Sequence, residues 1–258
     1  MQFDWRSLAV VVGVVGVVVC PLAGAWAITV PPGFTLEIDV VETAGGSWTG
    51  TETTLSSELS MTSQGDETTL SLMAPRNVLG GHATIESWVT TWDPDPFITN
   101  DFVVVNNSGA TQTYAVAVGA PVSPAFPATS IVQSNIILSI NDDDGVGGAS
   151  VQSVVSTPVY EAFVNGVSAL TFLDDPFSNS CASAFDCTFN GTSAAAVASQ
   201  AFGPVSATSM GITITFELSP GDSAAVQSRF EIVPEPGTAA LLGLGLVGLS
   251  AVRRLRAR

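Results

Sequence analysis

Thr35-Leu36-Glu37-Ile38-Asp39-Val40-Val41-Glu42 places Leu36, Ile38 and Val40 on one side of an extended chain and Glu37 and Asp39 on the other. A period of two is the mark of a half-buried β-strand. Outward from this octet, short runs rich in Val, Ile, Thr and Phe recur, broken by Gly, Pro, Asn and Asp. They predict strands over Thr53–Met61, Thr68–Met73, Ala83–Trp92, Asp101–Asn106, Gln112–Val118 and Asn135–Asn141. Further strands are predicted over Val151–Val164, Ala169–Leu173, Met210–Leu218 and Ala224–Val233. About eleven strands with turns between them predict an all-β fold, an antiparallel β-sandwich or jelly roll. Ala194–Phe202 stays open, because its alanines favour a helix and its setting an edge strand.

The charge balance excludes several functions. The 258 residues carry 23 acids against 7 bases, all of them Arg, for a net charge of −16. All but one of the acids and only two arginines, Arg76 and Arg229, fall between residues 28 and 236. A body so acidic does not bind nucleic acid, which needs a basic surface. With 46% hydrophobic residues it is not a disordered acidic chain either. Cations are its natural counterions.

Both ends differ from the body. Met1–Arg6 is short and polar, Leu8–Val19 is an unbroken apolar run, and Ala25 and Ala27 flank Trp26 ahead of Ile28. Small residues at −3 and −1 after a short apolar core predict a secretory signal peptide over residues 1–27, handed to the secretion machinery and cleaved after Ala27. Export then leaves Cys181 and Cys187 as a pair around a small polar spacer, which predicts one disulfide.

At the other end Val233-Pro234-Glu235-Pro236-Gly237 precedes the apolar run Thr238–Val252 and the cluster Arg253, Arg254, Arg256 and Arg258. As a helix that run is about 22 Å long against roughly 30 Å of hydrocarbon, a short transmembrane helix extended by snorkelling arginines. The basic cluster belongs on the cytoplasmic side, which puts the acidic body outside. This tripartite tail closely resembles the PEP-CTERM sorting domain of Gram-negative bacteria. The resemblance implies recognition by an exosortase, a membrane cysteine transpeptidase, with Val233, Pro234, Glu235 and Pro236 as its sorting motif. It also implies an inner-membrane-anchored precursor, then delivery to the cell envelope or the extracellular matrix. The Leu218–Asp222 turn and a closing strand leading into Pro234 loosely resemble other ectodomains of this kind. The expected organisation is a signal helix (1–27), a β-sandwich ectodomain (28–232) and a sorting signal (233–258).

For the body, the expected role is structural or adhesive, within an exopolysaccharide or biofilm layer. A carbohydrate- or calcium-binding surface module is the alternative. Asp142, Asp143 and Asp144 on the Gly-rich stretch Asn141–Gly148 offer hard oxygen ligands to calcium. The spacing is not that of an EF-hand, since Ile140 and Val151 fall on the first and last ligand positions. A solvated hairpin loop explains the same residues. Trp88 and Trp92, beside Asp93-Pro94-Asp95-Pro96-Phe97 and with Asp174-Asp175-Pro176-Phe177, suit either a sugar platform or core and turns. Asn106-Asn107-Ser108 and Asn190-Gly191-Thr192 are formal glycosylation sequons. An enzyme is not expected: His82 is the only histidine, and no Gly-x-Ser-x-Gly elbow presents a serine; a glycoside hydrolase, which needs only two carboxylates, is the third alternative. One histidine and two spaced cysteines also make no zinc cluster.

Overall fold

The computed structural model describes residues 34–42, 49–53, 58–93, 96–126, 130–181, 187–192 and 206–233. These form two antiparallel sheets of eight strands each, a sandwich with one continuous core. The strands are β1 (Thr35–Glu42), β2 (Thr49–Thr53), β3 (Leu59–Gln64), β4 (Glu67–Leu72), β5 (Arg76–Val78), β6 (Ala83–Asp93), β7 (Phe97–Asn106) and β8 (Gln112–Phe126). After them come β9 (Ile131–Asn141), β10 (Ser150–Gln152), β11 (Tyr160–Val164), β12 (Val167–Phe172), β13 (Ser178–Ser180), β14 (Cys187–Thr192), β15 (Ala207–Leu218) and β16 (Ser223–Val233).

The first sheet runs β12-β11-β15-β8-β1-β2, with β10 joining β15 to β13. The second runs β14-β9-β16-β7-β6-β4-β3, with β5 on β6. Strict alternation of buried and less buried residues along β7 and β16, along β8 from Gln112 to Val122 and along β15 from Met210 supplies the inner faces. Phe102, Val104, Val116, Ile212, Phe216, Val226 and Phe230 meet there with at most 2% exposure. Burying a large apolar side chain of this kind stabilises the fold by about 1.5–3 kcal/mol.

Two tyrosines tie the sheets together. The Tyr114 hydroxyl, on β8, donates to Gln112 Oε1 (2.7 Å) and to Val105 O of the facing sheet (3.1 Å). The Tyr160 hydroxyl bonds to Ser134 Oγ, which donates to Arg229 O at 2.7 Å. Their loss of solvent raises both phenol pKa values well above the usual range.

β1 has the predicted limits. The expected strand Val151–Val164 is instead two strands, β10 and β11, because Ser156 has φ 62 in the turn between them. Ala194–Phe202 lies outside the described residues. Among the described residues, no helix is long and apolar enough to cross a membrane.

Candidate functional site

Among the connections described throughout, three cross from one sheet to the other at one end of the sandwich. Residues 107–111 join β7 to β8, residues 142–149 join β9 to β10, and Ser219–Asp222 join β15 to β16. The Pro220-Gly221 turn is where the sequence predicts one, but it spans the two sheets. The same holds for the Asn141–Gly148 stretch, which is no hairpin loop.

Asn106, at the end of β7, holds two of these connections together, residues 107–111 and Ser219–Asp222. Its Nδ2 donates to Ala110 O (2.8 Å), Ser219 O (3.0 Å) and Leu218 O (3.1 Å), and its Oδ1 accepts from Ser108 N and Oγ. Its backbone completes the joint: Asn106 N donates to Asp222 O and Gly221 N donates to Asn106 O, both at 2.9 Å. Asn106 is fully buried, so the first sequon is a structural element and not a glycan acceptor. The Asn190 side chain is outside the described ones.

Within this joint lie Asp142, Asp144 and Asp222, with one carboxylate oxygen of each inside 4.8 Å of the others. Each carboxylate has one oxygen committed locally. Asp142 Oδ1 accepts from Gly145 N and Asp144 Oδ1 from Val146 N, both at 2.7 Å, while Asp222 Oδ2 accepts from Ser219 Oγ. Ser219 is itself held by Ser150, whose N donates to Ser219 Oγ at 2.6 Å. Gly221 sits at φ +75, and a Cβ there would collide with the Asp144 carboxylate, so glycine alone lets the turn and the loop close on each other. Burial pushes the Asp222 carboxyl up to about 6; the charges of Asp142, Asp144 and Asp143 add to the rise and the Ser219 hydroxyl opposes it.

The sequence pointed to Asp142, Asp143 and Asp144. The structure replaces Asp143 with Asp222 in the cluster, because Asp143 turns aside to an exposed bond with Asn141 Nδ2. A Pro-Gly-Asp turn signals only a change of direction, so nothing in the sequence marks Asp222 as the third member.

The other expectations fare differently. Trp88 and Trp92 are 2% and 3% exposed and serve the core, so neither is a sugar platform. Trp88 Nε1 donates to Asn100 Oδ1 at 2.7 Å, and Trp92 stacks on Phe34 at 4.3 Å. A bulge at Ile85/Ser87 shifts the alternation of β6, turning Trp88 inward while Thr84 and Glu86 face outward. Asp175 is exposed and held by the β10–β11 connection, through Ser153 Oγ (2.7 Å) and Ser156 N (3.0 Å). These bonds hold its carboxyl below the usual range. His82 is exposed, with its carbonyl accepting from Asn107 N and Gln112 Nε2. An open depression lined by Thr35, Ala120, Phe163 and Met210 has no acid or base in its wall. Cys181 is disulfide-bonded, and the Cys187 side chain is outside the described ones.

β16 lies between β9 and β7, and its last residue, Val233, pairs with Ile131. Pro234 and Pro236 have no N–H to continue the ladder. The tail therefore leaves the body from a strand bonded on both sides. Residues 233–254 match the PEP-CTERM protein-sorting motif. No curated protein matches the chain. The motif marks an exosortase-sorted extracellular protein, made as an exported precursor anchored at its C-terminal end. Arg253 and Arg254 fall inside the match and Arg256 and Arg258 beyond it. Ala25, Ala27, Pro234, Glu235, Pro236 and the four tail arginines lie outside the described residues.

Proposed function

We propose that this chain is a structural or adhesive, non-catalytic component of an exopolysaccharide or biofilm layer. In this reading residues 1–27 are removed on export, the sandwich from 28 to 232 is the working body, and an exosortase-type transpeptidase acts near Pro234-Glu235-Pro236. The observation that carries it is the continuity of β16 with the sorting motif at Val233. A strand bonded along both edges resists detachment, so load on the tail is passed to the middle of a sheet rather than to its rim. Burial of Trp88 and Trp92 counts against the carbohydrate-binding alternative, which loses its stacking surface.

Cys181 follows β13 in the first sheet and Cys187 opens β14 in the second. Their proposed disulfide adds a covalent tie between the sheets, worth roughly 2–2.5 kcal/mol on the chain-entropy model.

Intact-mass spectrometry of the protein recovered from the native cell surface tests the whole reading. The expected mass begins at Ile28, ends near Pro236, and lacks two hydrogens for the disulfide. Replacing Pro234, Glu235 and Pro236 with alanine should leave the tail on the protein and the protein in the cell membrane. Normal release of that variant would end the sorting reading.

A further inference from the structure

Asp222 has no accessible surface, and its Oδ1 has no hydrogen-bond partner. Buried carboxylates in native proteins are ordinarily paired or fully bonded. Here the nearest charged groups are two more carboxylates, Asp142 and Asp144. Nothing among the described residues supplies a remedy. The chain has no lysine, and the guanidinium groups among the described residues, Arg76 and Arg229, are engaged by Glu58 (3.0 Å) and Glu231 (2.9 Å). Neutralisation must come from a proton or from a cation taken up from solution.

The donor set selects the cation. Three carboxylates with no nitrogen or sulfur beside them suit a hard ion, and an irregular loop suits calcium, which accepts six to eight oxygens in flexible geometry. Magnesium demands a near-ideal octahedron and keeps most of its water. Gly221, by admitting the Asp144 carboxylate against its Cα, builds the approach of the two loops into the backbone.

We propose that Asp142, Asp144 and Asp222 bind one calcium ion, which fastens the β9–β10 connection to the β15–β16 turn where the cross-sheet connections converge. The site rests on the reading of this chain as extracellular only for its supply of calcium. Its ligands come from two segments remote in sequence, so the ion forms its site only in the folded sandwich and stabilises the folded state.

The test uses the purified full-length chain in detergent, stripped with a chelator and titrated with calcium chloride by calorimetry and by melting temperature. Saturable binding with a dissociation constant of the order of 10⁻⁴ M is expected, together with a rise in melting temperature. Asp222→Asn and Asp144→Asn should weaken binding at least roughly tenfold, since affinity follows the charge of the ligands. Asp143→Asn and Asp175→Asn should leave it nearly unchanged. Absence of saturable binding at calcium of about 10⁻³ M overturns the site, and so does an Asp222→Asn or Asp144→Asn effect no larger than that of Asp143→Asn. If Asp222→Asn fails to fold, the exposed Asp144 decides the matter. Processing of the tail does not enter this measurement, so failure of the sorting reading and failure of the calcium site are seen separately.

Discussion

Two aspartate loops in this sandwich look alike in sequence and are opposites in physics. In Asp174-Asp175-Pro176-Phe177 the carboxylate of Asp175 faces solvent and accepts from Ser153 Oγ and Ser156 N, which stabilises its charge. Where Asn141–Gly148 meets Ser219–Asp222, three carboxylates converge, one of them without accessible surface and with an oxygen left unbonded. The first loop uses aspartate as a hydrogen-bond acceptor to shape a turn and is complete as it stands. The second gathers negative charge inside a framework of backbone bonds and is complete only with a counterion. Density of acids in the sequence does not distinguish them; what the folded neighbours donate does.

The frameworks behind the two loops should differ most. Asn106→Ala removes the amide that satisfies Ala110, Leu218 and Ser219 carbonyls and the oxygen that receives Ser108. Orphaned buried groups cost about 1–3 kcal/mol each, so a loss of roughly 3 kcal/mol or more is expected by urea denaturation. Ser153→Ala, the corresponding change behind Asp175, should cost about 1 kcal/mol. Equal losses would mean that the cross-sheet joint is no stiffer than an ordinary turn.

A smaller effect separates backbone conformation from crowding. Gly221 and Gly166 have nearly the same φ, +75 and +74, but an added Cβ meets the Asp144 carboxylate at Gly221 and open space at Gly166. Gly166→Ala should therefore cost only the left-handed penalty of about 1–2 kcal/mol. Gly221→Ala should cost more and should also weaken the calcium response, because the Asp144 carboxylate must move. If the two variants melt together, the contact between the turn and the loop contributes nothing.

How much of this was legible in the sequence depends on the range of the interaction. β1 was readable because Leu36, Ile38 and Val40 alternate with acids over one uninterrupted strand. Pro158 marks the break between β10 and β11, but the apolar neighbours Val154, Val155 and Val159 carry the pattern of one continuous strand. Val155 proves 83% exposed, an apolar residue at a turn that composition alone assigns to a strand. The inward turn of Trp88 depends on a bulge, which shifts the phase of β6 without a glycine to announce it. Asp142 and Asp144 were visible as part of an acidic run. Asp222 was not, because pairing of β16 with β9, which sets Ser223 opposite Asn141, is what delivers it to the loop. The sorting motif was the most legible element of all, since a peptide read by another protein carries its information in consecutive residues.

The last expected effect is the sharpest in sign. In chelator, the Asp222 carboxyl titrates at about 6 in the folded protein, above its ordinary value of 3.8. Between those values the native state holds a proton that the unfolded chain has released, so stability from this group is complete below about pH 4 and falls as pH rises through 6. Asp175 is the reverse. Its folded value lies below 3.8, so its stabilisation is present above that pH and is lost as pH falls through the folded value. Unfolding measured across pH 3–7 on Asp222→Asn and Asp175→Asn, each minus the parent, should give difference curves of opposite slope. Calcium should flatten the first, because a bound ion displaces the proton, and leave the second as it was. Two curves of the same slope would erase the distinction between the loops, since both would then be ordinary acidic turns.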